Sequence, residues 1–260
     1  MLPILNIGPL AVPAPELILL LAFWIGLELT EKHAEGFGAD PKHLYNMALT
    51  AILAGLIGAR LVYAARSPQA FLDSPWSLLA PRPEMLDGTG GLVAAALAAF
   101  IYGWVRRLRL WPTLDAATTL FAVLAVALGL SHFASGDAFG APADIPWAIS
   151  LWGAQRHPSQ VYETIAALLV AAAVWPGSRA ARYSRAQPGF RWWIFLAISA
   201  AARLALESFR GDSVLLMNSF RLAQVIAWLV LAVSLWQIGR RLGGPKAAED
   251  TAAPDEQAAG

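Results

Sequence analysis

From Ala116 to Gly136 the chain runs 21 residues without Asp, Glu, Lys or Arg. A transmembrane helix needs roughly 20 mostly apolar residues, so this run removes most water-soluble architectures from consideration. Seven segments approach that length: Leu10–Thr30, Leu44–Ala65, Gly88–Val105, Ala116–Gly136, Ser159–Trp175, Trp192–Phe209 and Phe220–Gly239. The third and seventh each hold 18 residues free of those four types, whereas Glu16 and Glu28 bracket only 11 in the first. The expected fold is an all-α membrane protein of seven transmembrane helices. It forms a single integral membrane domain over residues 1–242, followed by a disordered cytoplasmic tail, 243–260, that lacks any large apolar residue. Composition agrees: 57% of the 260 residues are hydrophobic and 14% charged, against about 25% charged in soluble domains. Eleven tryptophans suit the bilayer interfaces, where indole rings settle.

Basic residues set the expected orientation. No Lys or Arg precedes Lys32, so the positive stretch of a cleavable signal peptide is missing. Basic residues following the first span predict an outside N-terminus. Sorted on that basis, twelve Lys and Arg fall in inner loops and five in outer loops, with Arg60 and Arg203 inside spans. Such a bias predicts a cytoplasmic C-terminus and a multi-pass protein of the plasma membrane. The net charge of +1 provides no pull toward nucleic acid. With no cysteine, disulfides, thiolate metal sites and a cysteine nucleophile are excluded within this chain. Neither His-x-x-x-His nor His-Glu-x-x-His occurs, which argues against a zinc protease. No metal or cofactor is expected.

Polar chemistry is concentrated in a few places. Arg156-His157-Pro158-Ser159-Gln160-Val161-Tyr162-Glu163 stands directly before an apolar stretch, Thr164–Trp175. A membrane helix that begins this way is suited to hold something polar at the lipid–water boundary. Arg203, Glu207 and Arg210 are spaced i, i+4, i+7 and are expected on one face of the sixth helix. An ionised group deep in the bilayer costs about 2.5–3.5 kcal/mol on insertion scales, so such residues are seldom idle. One explanation is structural pairing, Glu207 with Arg203 and Glu163 with Arg60. The other is an arginine-rich pocket for an anionic headgroup, since the guanidinium fork binds phosphate oxygens bidentately.

His33 and His43 flank an inner loop and read as solvated. His132 closes the fourth span and is more often, in such a place, a hydrogen-bonded core residue than a catalyst. His157 precedes Pro158 and is pushed out of helical conformation, which marks the start of the fifth helix. Ala134-Ser135-Gly136 lacks the glycine a serine-protease nucleophile would have at Phe133. Gly88-Thr89-Gly90-Gly91 has no following lysine and suits close helix packing better than phosphate binding. The outer loops Arg66–Asp87 and Asp137–Pro158, with Trp76, Trp147 and Trp152, are expected as short helices or turns along the interface.

The octapeptide resembles the "RHPSQLYE" block of bacterial prolipoprotein diacylglyceryl transferases. Further blocks follow in that family's order. Ile7-Gly8-Pro9 resembles its opening, Gly58-Ala59-Arg60-Leu61-Val62-Tyr63 its "GGRLGYV", and Gly90-Gly91-Leu92-Val93 its "HGGLIG". His132 to Gly140 is similar to "NFINGELWG", Arg203 to Arg210 to "FRxxxExFR", and Gln224 to the glutamine opening the last helix. The resemblance covers residues 5–240. It implies transfer of a diacylglyceryl group from phosphatidylglycerol to the lipobox cysteine of a prolipoprotein in the bacterial inner membrane. A thioether forms and glycerol phosphate leaves. The incoming substrate supplies the thiol, so a cysteine-free enzyme is consistent.

The resemblance implies catalytic roles for Arg203, His132, Glu207 and Arg210. Substrate contacts are implied for Arg60, Gly90, Gly91, Gly136, Asp137, Arg156, His157, Gln160, Tyr162, Glu163 and Gln224. The chain also departs from the family's blocks. Thr89 stands at a histidine, Gly129 at an arginine, His132 at an asparagine, Asp137 at a glutamate and Pro15 near a tyrosine. Relocation is the expectation that follows: His132 takes the basic role, and Arg156 or Arg60 supplies the missing positive charge. A non-catalytic binder of phospholipid or lipoprotein precursors is the alternative. A transporter is a third reading, weakened by the lack of broken-helix symmetry between halves.

Overall fold

In the computed structural model the described residues are 4–7, 10–72, 76, 85–213, 215–216 and 220–243. Gly8, Pro9 and the expected tail beyond Gly243 lie outside them, as do parts of the loop Arg66–Asp87.

The chain begins as a hairpin, not a helix. Strand β1 (Ile4–Ile7) pairs antiparallel with β2 (Leu10–Pro13), Ile4 opposite Pro13. Helix α1 (Ala14–Ala34) therefore starts four residues later than expected from Leu10. Prolines explain the shift. Val12 precedes Pro13 and is driven extended, whereas Pro15 falls in the first helical turn, where its missing N–H is harmless. Helix α2 (Pro41–Arg66) is capped by the Asp40 carboxylate, which accepts from the Lys42 and His43 N–H groups. A short α3 (Gln69–Leu72) follows. Asp87 likewise caps α4 (Gly88–Val105) through the Gly90 N–H. Helix α5 (Leu110–Ser135) is succeeded by a hairpin of β3 (Ile149–Leu151) and β4 (Ala154–Arg156). The turn residues Trp152 and Gly153 both have positive φ, 53° and 75°, as in the tight hairpin turns that match strand twist. Then come α6 (Ser159–Val174), α7 (Arg179–Ala186) and α8 (Phe190–Leu206), the last continuing as a 3-10 turn over Glu207–Phe209. Strands β5 (Leu215–Leu216) and β6 (Phe220–Arg221) precede α9 (Leu222–Leu242).

Among the described residues, five helical stretches are long and apolar enough to cross a membrane: α2, α4, α5, α8 with its 3-10 turn, and α9. A sixth results if α6 and α7, bent by 45°, act as one. The chain is thus a mainly helical, multi-pass membrane protein. The expected helical membrane fold is present, its helices joined, among the described residues, by three short two-stranded hairpins. The first expected span, α1, carries Glu16, Glu28, Glu31 and Lys32 and is not among the stretches that qualify, so five or six of the seven expected spans are supported. Leu53, Ile57, Phe100, Trp104, Trp228 and Trp236 are among many large apolar side chains left exposed on α2, α4 and α9. That is the expected state of helices whose solvent is lipid, since acyl chains are as apolar as leucine.

The chain forms two compact units, residues 30–116 and residues 1–29 with 117–260. In the first, α2 and α4 meet through small residues. A Cβ on Gly91 would lie 3.0 Å from the Gly55 carbonyl oxygen and 3.0 Å from the Ala59 Cβ, and one on Gly90 would lie 2.5 Å from the Val62 Cβ. Such positions let two backbones approach closely in a medium that offers no hydrophobic drive. In the second unit, Ala122, Val170, Ala171, Val174 and Phe195 pack together, and Phe190, Ala197 and Ile238 form a neighbouring group. Arg191, wholly buried, donates to the Val174 carbonyl at 2.5 Å and to Thr119 Oγ1 at 2.8 Å. It thereby satisfies a carbonyl left over at the end of α6.

Candidate functional site

Glu163, in the second turn of α6, is the hub of a charged cluster. Its Oε2 lies 3.1 Å from His132 Nδ1 on α5. Its Oε1 accepts from Arg203 Nη1 at 3.1 Å and from Arg210 Nη1 at 2.5 Å. Arg203 also places Nη2 2.9 Å from Glu207 Oε2, an ion-pair distance without hydrogen-bond alignment. Arg210 is gripped on its far side by Asp212, Nε to Oδ1 at 2.9 Å and Nη2 to Oδ2 at 2.7 Å. The Glu207 carbonyl accepts from Arg221 Nη1. Burial works against the Arg210 charge, but Asp212 and Glu163 outweigh it and hold that guanidinium above the ordinary arginine range.

Three arginines and three carboxylates thus share one network, charge-balanced with His132 neutral. The expected pair of Arg203 with Glu207 is present. Glu163 takes His132, Arg203 and Arg210. Arg60 belongs to the other unit, where it donates to the Met85 carbonyl and stands over the Phe71 ring. The i, i+4, i+7 expectation needs revision. Helix α8 ends at Leu206, and Arg210 lies on extended chain bridged to Gly140. Arg210 reaches Glu163 because the chain unwinds, not because a helical face continues.

The exposures separate the two arginines. The Arg203 side chain is 38% accessible, Arg210 only 11%, and Glu207 1%. Arg203 is the cation with freedom to meet an incoming anion. The geometry also orients the histidine. An ionised carboxylate only accepts, so opposite Glu163 the donor is His132 Nδ1–H, and in the neutral imidazole Nε2 then keeps a lone pair.

The octapeptide builds the wall beside this cluster. Phe139–Ala141 runs between Phe209–Gly211 and Arg156–His157. Ala141 N–H donates to the Phe209 carbonyl, Gly211 N–H to that of Phe139, and His157 N–H to that of Ala141. A Cβ at Gly140 would strike the His157 carbonyl, and one at Gly211 would come 2.8 Å from the Gly140 oxygen. These two glycines are what allow the three strands to close. Arg156 donates to the Leu151 and Gly140 carbonyls and lies 4.9 Å from the Phe139 ring centroid. Among the described residues it meets no carboxylate. His157, Tyr162 and Phe209 form a ring cluster, and the Tyr162 hydroxyl accepts from Trp147 Nε1 at 2.7 Å.

Gln160 is fully buried, with Nε2 donating to the Asp137 carbonyl at 2.8 Å. Its Oε1 and His157 Nδ1 are buried without a hydrogen-bond partner among the described residues. Buried polar atoms are rarely left so, and each is open to a partner. Gly136, with φ of 84°, lets the chain reverse after α5, and its carbonyl accepts from Trp152 Nε1. The Asp137 side chain is exposed. Gln224 sits half-buried in the first turn of α9. Gly90 and Gly91 lie in the other unit and pack α4 on α2. Asp212, Arg221, Gly140 and Gly211 are absent from the sequence-based candidates. By position Arg221 sorts as an outer-loop charge, and nothing in the spacing of Gly140 or Gly211 points to a backbone crossing. Gly129, at the family's arginine position, has no room for any side chain: its Cβ would stand 2.5 Å from Thr164 Oγ1 and 3.0 Å from the Thr164 nitrogen.

The chain is thus a multi-pass helical membrane protein with an ion network where α5 ends and α6 begins. A sequence profile of the prolipoprotein diacylglyceryl transferases matches residues 3–239, and the chain belongs to that family. It is similar to the phosphatidylglycerol–prolipoprotein diacylglyceryl transferase of Thermosynechococcus vestitus, 28% identical over 86% of this chain and 86% of that one. It is likewise 28% identical to the enzyme of that name from Symbiobacterium thermophilum, over 95% of each chain. The Thermus thermophilus counterpart is 26% identical over 92% of this chain and 97% of its own.

Proposed function

We propose that this chain transfers a diacylglyceryl group from phosphatidylglycerol to the lipobox cysteine of prolipoproteins, as a multi-pass enzyme of the bacterial inner membrane. Its N-terminus lies outside and its C-terminus in the cytoplasm. The observation that carries the reading is Glu163 holding His132 on one oxygen and Arg203 with Arg210 on the other. A base and cations then stand at one place, as the chemistry requires.

Held through Nδ1, His132 offers Nε2 to the thiol and takes its proton. The sulfur attacks the glyceryl carbon that carries the phosphate. A C–S bond forms, the C–O bond breaks, and the electron pair leaves with glycerol phosphate. Charge grows on the departing phosphate, and Arg203, the more accessible guanidinium, trades part of its hold on Glu207 or Glu163 for a phosphate oxygen. Stabilisation of this kind is strong where water is scarce. Gln160 Oε1 and His157 Nδ1, both lacking partners among the described residues, suit the hydroxyls of the glycerol headgroup. Arg156, Gly136, Asp137 and Tyr162 shape the wall around it, Glu207 positions Arg203, and Gln224 stands at the start of α9. For Arg60, Gly90 and Gly91 the proposed substrate contacts rest on the family resemblance alone.

The alternative, a binder without turnover, draws on the same network. Every arginine in it already has an acidic or carbonyl partner, as in a purely structural set of ion pairs. Purified protein incubated with phosphatidylglycerol and a lipobox peptide separates the two. Thioether product by mass spectrometry is the expected result; lipid bound at saturation with no product selects the binder.

A further inference from the structure

We infer that Gly129 is a positioning residue: its missing side chain brings α5 and α6 close enough for His132 to be held by Glu163. The inference rests on the proposed role of His132 as base only for its consequence in activity. The approach itself is geometric. A Cβ at Gly129 would fall 2.5 Å from Thr164 Oγ1, 3.0 Å from the Thr164 nitrogen and 3.1 Å from its Cα. The last two are backbone atoms, which cannot rotate away. Gly129 and Thr164 are therefore where the two helices touch backbone to backbone.

His132 lies three residues beyond Gly129, on the same face of α5 one turn on, and Glu163 directly precedes Thr164. The touching point and the 3.1 Å approach of His132 Nδ1 to Glu163 Oε2 are thus one helical turn apart. Thr164 Oγ1 is itself tied to the Gln160 carbonyl at 2.8 Å, so it cannot yield without loosening the first turn of α6. Any side chain at 129 has to push the helices apart, and a hydrogen bond one turn away is the first to break. The absent side chain is in this sense a requirement of the His132–Glu163 pair. Gly129→Arg is expected to disrupt the site, not to add a useful cation.

The test uses the full chain in lipid nanodiscs, with two readouts. The first is the 15N spectrum of His132, which reports which ring nitrogen carries the proton. The parent protein is expected to show a single Nδ1–H tautomer held by a carboxylate. Gly129→Ala is expected to replace it with the mixed tautomers of a free imidazole, with thermal unfolding still cooperative. The second is thioether formation, expected to fall about 100-fold, the scale on which an ångström of misplacement acts. Gly129→Ala with Thr164→Ala, which removes the oxygen in the way, is expected to recover part of both signals. If Gly129→Ala leaves the tautomer signal intact, or if Gly129→Arg raises activity, the inference is overturned. If the signal disappears while activity persists, Gly129 positions the pair as inferred, and the reading of His132 as base fails instead. If Gly129→Ala does not fold, Thr164→Leu decides: it adds bulk at the same contact from the α6 side, and an unchanged tautomer signal there overturns the inference.

Discussion

Glu163 is one carboxylate serving three basic groups, so its removal is unlike the loss of a single salt bridge. Glu163→Gln retains a hydrogen-bond acceptor for His132 but leaves Arg203 and Arg210 short of charge. Breaking a buried pair on one side costs about 3–5 kcal/mol; the partial exposure of Arg203 places the expected loss at the lower end, measured as reduced stability in detergent. His132→Ala tests chemistry with less structural damage. Transfer is expected to slow by at least about 100-fold while phosphatidylglycerol binding persists, read by product formation and by lipid retention. A parental rate in that variant removes His132 from the mechanism. Arg203→Lys keeps the charge but loses the fork that reaches Glu163 and Glu207 together. A conservative exchange is therefore expected to behave as a severe one in a complementation assay with a transferase-depleted strain.

Among the elements, the α2–α4 pair shows how closely helices pack when apolar burial between them gains little. Gly90 abuts Val62 and Gly91 abuts Ala59. Gly90→Val inserts volume where none is free and is expected to destabilise by about 1–3 kcal/mol, seen as a lower unfolding temperature in detergent. A value equal to the parent's would place that approach elsewhere. Arg191 acts at the other end of α6, where it closes an orphan carbonyl from complete burial. Arg191→Leu retains bulk but leaves that carbonyl unsatisfied, at about 1–3 kcal/mol.

Across the whole molecule, orientation is the quantity that remains to be measured. Under the proposed seven crossings the two ends would lie on opposite faces, and the excess of inner-loop Arg and Lys would assign the cytoplasmic face to the C-terminus. A C-terminal reporter active only in the cytoplasm, with an N-terminal epitope accessible from outside, is the expected pair of results. Both ends on one face would mean that α1 does not cross, in keeping with its four charged residues.

Much of this is legible in the residues alone. Apolar runs place α2, α4, α6, α8 and α9 to within three residues, and α5 except that it begins six residues early at Leu110, because in lipid the backbone must bond within its own helix and length with composition then decides. The octapeptide and the Arg203–Arg210 block mark where polar chemistry gathers, since charge in a span is too costly to be incidental. Partners are a different matter. Sequence offers Arg60 for Glu163, whereas the fold supplies His132, Arg203 and Arg210 from three separate places along the chain. The unwinding after Leu206, the crossing at Gly140 and Gly211, and the close approach at Gly129 depend on atoms distant in sequence. Periodicity is local, and a pairing between residues forty positions apart exists only once the backbone has brought them within reach.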